Sequence, residues 1–339
     1  MLEGERQLDL VVIPTPLAEH HAMCIEAFAH GCHVLLEKPP AVTIQDMRAM
    51  IAAQRQAGVL CQVNFQHTSS QAFHLAMKLL GEGRIGRLQR VVGRGIWKRT
   101  WAYYQRTSWS GRLIQDGRFV LDGTLHNTMS HLLNQCMLAA GGGRIAWPTR
   151  VEAECYTGYP IEAENTVSAR IQTREAVDIY FYTTLCHPVT EVSTVTMEGE
   201  RGKIVWYYDN RLSCWSEAGE RHESFMPNDQ EGMIMSMYDN WLKAWRGEAS
   251  LYSPLSAGEA LIRASNAAFL SSGGVHALPE KDVRHYHDGT SEAIMIPGIQ
   301  EWIDRAIAEG KLFSELGIHW AVPGRVIIPD EWEEFRLFN

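Results

Sequence analysis

Short apolar runs alternate with amphipathic stretches over the first 65 residues of the chain. The runs at residues 8–14, 33–37 and 59–65 have the length and composition of strands that are buried on both faces. Between them, residues 18–30 and 44–56 carry apolar side chains at helical spacing, and a glycine follows each stretch closely. This order predicts an α/β fold with a parallel sheet and helical crossovers.

The pattern changes after Gly86, where strand-like segments dominate. In residues 166–172 and 177–185 apolar and polar side chains alternate with period two, which predicts a large open, mostly antiparallel sheet with one buried face. Further strands are predicted at residues 88–97, 151–158, 192–198 and 203–208. Further helices are predicted at residues 71–80, 124–140, 232–246, 256–270 and 299–309.

Composition narrows the class of protein. With 45% hydrophobic and 21% charged residues the chain is typical of a globular protein, which excludes disordered and collagen-like classes. Its formal net charge of -9 gives no electrostatic case for a nucleic-acid partner. No apolar run approaches the ~18–20 residues that a membrane-spanning helix needs. We therefore expect neither a nucleic acid nor a membrane as a partner.

The cysteines and histidines give no sign of a metal site. Seven scattered cysteines include no Cys-x-x-Cys pair, so neither a disulfide framework nor a zinc site is predicted. A reducing cytoplasm is the simplest location for such a chain. The pairs His20-His21 and His285 with His287 have metal-capable side chains, but no further ligands accompany them. No metal is therefore predicted.

Lys38 is the first candidate for chemistry. It follows the predicted strand at 33–37 and so lies at the carboxyl end of a parallel strand, the edge at which open α/β sheets bind ligands. A lysine there can donate to a substrate hydroxyl or carbonyl oxygen and stabilise developing negative charge. The alternative from position alone is a solvated loop lysine.

Two pairs of polar residues are four apart at the start of the predicted helix 124–140. Asp122 and His126 share a face if that turn is helical, so that the carboxylate orients an imidazole that accepts a hydroxyl proton. The alternatives are a helix N-cap for Asp122 and a structural hydrogen bond for His126. Asn127 and His131 either line the same pocket or form a packed polar helix face.

A loop just ahead of this helix concentrates aromatic and guanidinium side chains. Its members are Arg99, Tyr103, Tyr104, Arg106 and Trp109. Aromatic faces and fixed guanidinium donors suit polyhydroxylated or anionic ligands. The alternative is a packed loop that faces another subunit.

Several motifs follow one another in a fixed order: a proline turn after a strand, a histidine, a strand ending in Glu-Lys-Pro, and Asp-x-x-x-His at a helix start. They fall on Pro14-Thr15-Pro16, His20, Glu37-Lys38-Pro39, and Asp122 with His126. This ordered set resembles the motifs of the Gfo/Idh/MocA dehydrogenases. The likeness covers most of residues 8–275.

The resemblance implies an NAD(P)-dependent oxidoreductase that acts on a CH–OH group of a sugar, cyclitol or related polyol. It implies that Lys38 polarises the reacting oxygen, that His126 is the acid or base, and that Asp122 orients it. The implied cofactor-binding residues are Pro14, Thr15, Pro16, His20, Glu37, Lys38 and Pro39. The implied substrate-binding residues are Arg99, Tyr104, Arg106, Trp109, Asn127 and His131.

The resemblance also implies three parts. Residues 1–68 would form a partial dinucleotide-binding (Rossmann) domain, and residues 69–275 an α/β domain for substrate binding and oligomerisation. Residues 276–339 would form a tail with one helix. Because the broad open face of the second sheet needs a cover, typically another subunit in this family, a homo-oligomer (a dimer or tetramer) is implied.

Members of this family begin with two strand–helix units of about 30 residues each, and the first holds the pyrophosphate on a glycine-rich turn. In the family both units precede the strand that corresponds to residues 8–14 here. The literal Gly-x-Gly-x-x-Gly at residues 81–86 does not replace the glycine-rich turn, because it follows a helix instead of a strand. Either the sequence starts at an internal methionine of a longer product, which we favour, or the natural chain has lost redox chemistry. In the second case it would be a sugar-binding or partner subunit, or a cofactor-free lyase or hydrolase. The 339-residue chain is expected to bind NAD or NADP weakly or not at all.

Overall fold

A three-stranded parallel sheet opens the structure, a computed structural model that describes residues 8–216, 221–225 and 230–337. Its strands are β1 (Leu10–Ile13), β2 (His33–Leu36) and β3 (Cys61–Val63), in that spatial order. The crossover helices α1 (His20–Ala29) and α2 (Ile44–Ala57) pack against each other. The predicted order of strands and helices is confirmed, and the α/β class with it.

Local signals set the ends of α2. Thr43 Oγ1 accepts a hydrogen bond from Asp46 N at 3.3 Å where the helix begins. Gly58 ends it with φ at 66°, a left-handed conformation that glycine adopts without a steric cost. These two caps fix the position of α2 and thereby the loop that carries Lys38 out of β2.

A second, larger sheet follows. Its strands are β4 (Leu88–Ile96), β7 (Pro148–Thr157), β8 (Thr166–Thr173), β9 (Asp178–Thr184), β10 (Thr194–Gly199), β11 (Gly202–Tyr207), β12 (Arg211–Ser216), β13 (Arg221–Phe225) and β14 (His276–Ala277). Their spatial order is β13-β12-β11-β10-β4-β9-β8-β7-β14, with parallel pairing of β4 with β9 and of β7 with β14. The remaining pairs are antiparallel, which confirms the prediction from the period-two alternation.

Helices cover the inner face of this sheet and join it to the first part. The helices after β3 are α3 (Gln71–Gly81), α4 (Trp101–Tyr104), α5 (Ser130–Ala140), α6 (Gln230–Trp245), α7 (Gly258–Ser272) and α8 (Ile299–Glu309). α5 packs on β4, β9 and β10, while α7 packs on both β7 and α2. One continuous apolar core therefore runs from Ile13 in β1 to Phe269 in α7.

The outer face of the large sheet is covered by the C-terminal part of the chain itself. α8 packs on β4 and β9, and Phe313 and Trp320 pack against Tyr156 and Tyr182 in a second core. The centre of this face is therefore covered within the chain, and the homo-oligomer stays a prediction. The aromatic residues of 312–320 lie outside any regular periodicity, so no sequence pattern indicated this role.

Several elements depart from the predicted ones. The predicted helix 124–140 is divided into a π-helical turn, Thr124–Thr128, and α5. The strands β12 and β13 were not predicted, because RLSCWS and RHESF have little apolar alternation. Two short hairpins were also missed, formed by β5 (Ile114–Gln115) with β6 (Arg118–Phe119) and by β15 (Arg284–His287) with β16 (Glu292–Met295).

Residues 1–7 of the predicted first part lie outside the described residues. Within the described ranges, no helix has the length and apolar character needed to cross a bilayer. All seven cysteines are unpaired and buried.

Candidate active site

Lys38 leaves the carboxyl end of β2 and reaches the turn that precedes α5. Its Nζ donates to Asn127 Oδ1 at 2.7 Å and to the Asn127 carbonyl oxygen at 3.1 Å. Burial lowers the pKa of Lys38 to about 8, although the carboxylates of Glu37 and Asp122 oppose the shift. The Lys38 ammonium is thus charged at neutral pH. It is held by the side-chain amide of Asn127, which lies outside β2 in the turn that precedes α5.

Asp122 holds the same amide from the other side. Asn127 Nδ2 donates to Asp122 Oδ1, and Gly111 N donates to Asp122 Oδ2 at 2.8 Å. Because its Nδ2 donates to a carboxylate, Asn127 must present Oδ1 to Lys38. Burial raises the pKa of Asp122, while its hydrogen bonds from Asn127 and Gly111 act in the opposite direction. Asp122 is not the helix N-cap, since Gly123 precedes the π-helical turn.

The π-helical turn explains why Asn127, and not His126, meets Asp122. A π turn contains an extra residue, so the side chain five positions on aligns with Asp122 instead of the one four positions on. The condition on which Asp122 and His126 were expected to share a face is therefore not met.

His126 lies in the core on the side of α7. Its Nε2 is 2.9 Å from Asn266 Nδ2, while Asn266 Oδ1 accepts from Ile44 N. Asn266 therefore donates, and His126 Nε2 accepts, in a neutral imidazole. Burial lowers the pKa of His126 to about 3. This geometry matches the structural hydrogen bond that was the alternative reading of His126.

His131 lies on α5 and keeps some accessible surface. Its Nδ1 is buried and has no hydrogen-bond partner in the described part of the chain, which leaves Nε2 as the nitrogen that a ligand can reach. Burial lowers the pKa of His131 well below its usual value, and the charge of Lys38 contributes in the same direction. His131 is therefore a neutral base that lies close enough to Lys38 to sense its charge.

Aromatic side chains pack in a row that begins at His131. The His67 ring meets the His131 ring edge to face, with centroids 5.1 Å apart, and stacks on Tyr208 at 4.3 Å. Tyr208 in turn approaches Trp97 at 6.4 Å. Sequence reasoning missed these three residues, because they come from distant segments that the fold brings together and no motif marks them.

The members of the predicted aromatic loop lie in two different environments. Tyr103 OH hydrogen-bonds Thr128 Oγ1 at 3.0 Å, and its ring stacks on the Arg106 guanidinium at 3.8 Å. Arg106 also lies over Trp109 and pairs with Asp122 at 3.6 Å. Tyr104, by contrast, is buried in the second core, where it stacks on Tyr159. The tyrosine of this loop that contacts Arg106 and Thr128 is therefore Tyr103.

The residues expected to bind a cofactor are near the end of β1. The ring nitrogens of His20 lie 3.0 Å from the carbonyl oxygens of Thr15 and Pro39, so His20 ties the ends of β1 and β2 together and has no free nitrogen. Pro14 and Pro16 are exposed. A cavity of about 400 Å³ opens beside Pro16. It is lined by Pro16, Leu17, Ala18, Glu19, Trp109, Gln115, Asp116, Arg118 and Val120.

Glu37 completes this edge, with Oε1 accepting from Asn64 Nδ2 at 2.5 Å. The described ranges contain no group of three or more His, Cys, Asp or Glu side chains that could hold a metal ion.

Residues 1–65 match the model of an oxidoreductase family with an NAD-binding Rossmann fold, named GFO_IDH_MocA. Over this segment the chain is similar to the Gfo/Idh/MocA family. A 1,5-anhydro-D-fructose reductase of Ensifer adhaerens is 34% identical over 39% of this chain and 40% of the relative. A levoglucosan dehydrogenase of Pseudarthrobacter phenanthrenivorans is 26% identical over 60% of this chain and 56% of the relative. The chain thus matches about half or less of these relatives' length.

Solved structures of dehydrogenases share the fold over a larger span. The WlbA dehydrogenase of Bordetella pertussis, solved with NADH and UDP-GlcNAcA, superposes with a TM-score of 0.67 at 25% identity. That match covers 80% of both chains. A levoglucosan dehydrogenase, solved with NADH and levoglucosan, gives a TM-score of 0.67 at 20% identity over 78% of this chain and 77% of the other. This second likeness shows the fold alone.

A buried carboxyl group sets the shape of the π-helical turn. Glu164 Oε1 accepts from Leu125 N at 2.9 Å, and the Glu164 carbonyl oxygen accepts from Thr124 N at 3.1 Å. Burial raises the pKa of Glu164 to about 7. A Cβ placed on Gly123 would lie 2.1 Å from Glu164 Oε2, so only glycine lets the turn approach this carboxyl group.

We expect Gly123→Ala to lower the free energy of unfolding by about 1–3 kcal/mol, the usual cost of forcing extra volume into a packed site. The φ of Gly123 is -107°, so the cost is steric and not conformational. Gly81→Ala is the matched control, because nothing lies within 4 Å of its Cβ position. Urea unfolding of both variants measures the difference. Equal midpoints would contradict the described packing of Glu164 against Gly123.

Proposed function

We propose that this chain provides the substrate side of an NAD(P)-dependent oxidoreductase that acts on a hydroxyl-bearing carbon of a sugar, cyclitol or related polyol. The observation that carries the proposal is the pairing of Lys38 Nζ with Asn127 Oδ1 at 2.7 Å, close to the neutral imidazole of His131. The names of the relatives, a sugar reductase and a sugar dehydrogenase, support the same reaction class.

The reaction needs a donor and a base at one oxygen. An ammonium has three hydrogens, and Asn127 accepts two from Lys38, which leaves one for the substrate oxygen. His131 accepts the hydroxyl proton as the carbon is oxidised, and Lys38 stabilises the negative charge that develops on the oxygen. In the reverse direction protonated His131 returns that proton. Asp122 acts through Asn127 as a positioning residue.

A nicotinamide cofactor, when bound, would supply the acceptor for the hydride that leaves the substrate carbon. The fit of this chain to such a cofactor is partial. Pro16, which lines the cavity of about 400 Å³, and its neighbour Thr15 would hold part of the cofactor. Phosphates are usually held by a glycine-rich turn between a strand and a helix N-terminus. The described residues form no such turn, since residues 81–86 connect α3 to β4.

We therefore expect the 339-residue polypeptide to bind NADH with a dissociation constant weaker than about 1 mM. The physical reason is that the described residues offer the pyrophosphate no helix N-terminus with a glycine-rich approach. Fluorescence titration with NADH and with NADPH measures the constant. A micromolar value for either cofactor would show that another element holds the phosphates.

The proposed activity is tested by following NAD(P)H absorbance with a panel of polyols. The polypeptide is assayed as it stands and also with a strand, glycine-rich turn and helix fused ahead of residue 8. Turnover of a polyol by either form supports the proposal. If the fused form binds NADH tightly and oxidises no polyol, the alternative of a non-redox sugar-binding subunit, lyase or hydrolase is favoured instead.

We also propose a cytoplasmic homo-oligomer. The seven unpaired cysteines fit a reducing compartment. Helix α6 presents an exposed apolar stripe at helical spacing, formed by Met235, Tyr238, Leu242 and Trp245. Such a stripe is typical of a surface that contacts another polypeptide. Light scattering coupled to size exclusion measures the oligomeric state.

A further inference from the structure

Arg99 is held in place by its backbone. Its N–H donates to Leu185 O at 3.1 Å, and its carbonyl oxygen accepts from Tyr159 OH at 2.6 Å. The guanidinium lies between two rings, 4.9 Å from the centre of Trp97 and 4.8 Å from that of Tyr103. Its side chain is therefore fixed in one place by packing on both sides.

In the described part of the chain this guanidinium has no carboxylate partner. Nη1 donates to the Lys98 carbonyl oxygen at 3.0 Å, and Nε is buried without a hydrogen-bond partner. The neighbouring cations are paired, Lys98 with Asp288 at 2.7 Å and Arg106 with Asp122 at 3.6 Å. An arginine cannot shed its charge, so a partly desolvated one without a counter-ion costs free energy.

Two chains of contacts connect Arg99 to the reacting groups. Tyr103, under the guanidinium, bonds Thr128, which follows the Asn127 that holds Lys38. On the other side, Trp97 leads through Tyr208 and His67 to His131. Arg99 is thus connected both with Lys38 and with His131 through neighbouring side chains.

The charges of the groups that surround Lys38 and Arg99 do not cancel. Lys38, Arg99 and Arg106 are cationic, while Glu37 and Asp122 are the carboxylates that contact or neighbour them. One positive charge remains, in a chain whose formal net charge is -9. One carboxylate on the ligand would balance it, whereas a phosphate dianion would exceed it.

We propose that the substrate is an acidic sugar or polyol, an aldonate or uronate, whose carboxylate binds Arg99 while its reacting hydroxyl binds Lys38 and His131. This inference rests on the proposed function for the reaction, but the binding that it describes can be measured without a cofactor. Charge-assisted hydrogen bonds from a fixed guanidinium are among the strong ones in proteins. They would favour the binding of a sugar that carries a carboxylate over that of a neutral sugar of the same shape.

The test is calorimetric titration of the 339-residue polypeptide with pairs of ligands that differ in the carboxylate. D-Glucuronate is compared with D-glucose, and D-gluconate with D-glucitol, with glucose 6-phosphate as a phosphate probe. We expect at least one acid to bind about 10- to 100-fold more tightly than its neutral counterpart. Because the protein is unchanged in these comparisons, they do not depend on the folding of a variant.

Variants then assign the effect to Arg99. Arg99→Gln should remove the preference for the acid, and Arg99→Lys should retain part of it because the charge remains. Arg87→Gln is the matched control, since Arg87 is exposed and pairs with Glu200. It should leave both affinities unchanged. Thermal unfolding of each variant shows whether it is folded.

The outcomes separate this inference from the proposed function. An acid preference that Arg99→Gln abolishes supports the inference, even if no hydride transfer is found and the proposed reaction fails. Oxidation of neutral polyols that is insensitive to Arg99→Gln overturns the inference and leaves the proposed function intact. Equal affinities for acids and neutral sugars, or a preference for glucose 6-phosphate over every carboxylate, also overturn it.

Discussion

Replacing His131 with alanine is expected to lower kcat for polyol oxidation by about 10²–10⁴-fold, in a form of the protein that binds NAD(P). The reason is that His131 has a neutral imidazole whose pKa the charge of Lys38 helps to lower, and that its Nδ1 is buried, which leaves Nε2 for the substrate. Steady-state kinetics with the fused form measure the effect. The substrate dissociation constant should change far less than kcat, because the proton is transferred in the transition state.

His126→Ala is the matched control, and it separates the two histidines that the sequence offered. Spacing and family resemblance assigned proton transfer to His126, whereas its Nε2 is bonded to Asn266 in the core. We expect this variant to lose about 1–3 kcal/mol of stability, since Asn266 loses an acceptor. Its kcat should stay within a few fold of the parent. A large loss of kcat in His126→Ala, with His131→Ala unaffected, would restore the first assignment.

Replacing Lys38 with alanine is expected to lower kcat by about 10²–10³-fold or more, the usual effect of removing one donor aimed at a developing oxyanion. Asn127 would then lose the cation that its Oδ1 accepts from at 2.7 Å. Kinetics of the fused form with the best polyol provide the measurement. A kcat near that of the parent would show that the reacting oxygen lies elsewhere.

The pH profile gives an independent readout of Lys38. Burial lowers its pKa to about 8, so the donor is lost as pH rises through that value. We expect kcat to fall above pH 8 in the parent, with an apparent pKa near 8. In Lys38→Arg the guanidinium stays charged, so this limb should move out of the measurable range even if kcat is lower. An unchanged limb in Lys38→Arg would assign it to another group.

Much of the fold could be predicted, because its signals are local. The apolar runs of β1 and β2 needed no knowledge of distant residues, and α8 has the bounds that its periodicity predicted. The cover of the outer sheet face could not be predicted. It depends on Phe313 and Trp320 meeting Tyr156 and Tyr182, contacts between segments more than a hundred residues apart.

The candidate site likewise has a part that local signals predict and a part that depends on distant contacts. Lys38 could be located because a strand end fixes it, and the structure places it beside Asn127 as a donor. The assignment of His126 rested on a spacing that assumes a regular helix. The π-helical turn at Thr124–Thr128, shaped by Glu164 against Gly123, shifts the register by one residue. No sequence signal for that turn was available, since Glu164 lies far along the chain.

The most direct test of the central claim is isotope transfer by the fused form with a polyol deuterated at the reacting carbon. The account predicts that NMR finds the deuterium on C4 of the nicotinamide product. It predicts that Lys38→Ala and His131→Ala lose this transfer, whereas His126→Ala keeps it. If the fused form binds NADH and transfers no deuterium from any sugar or polyol, neutral or acidic, the account is contradicted.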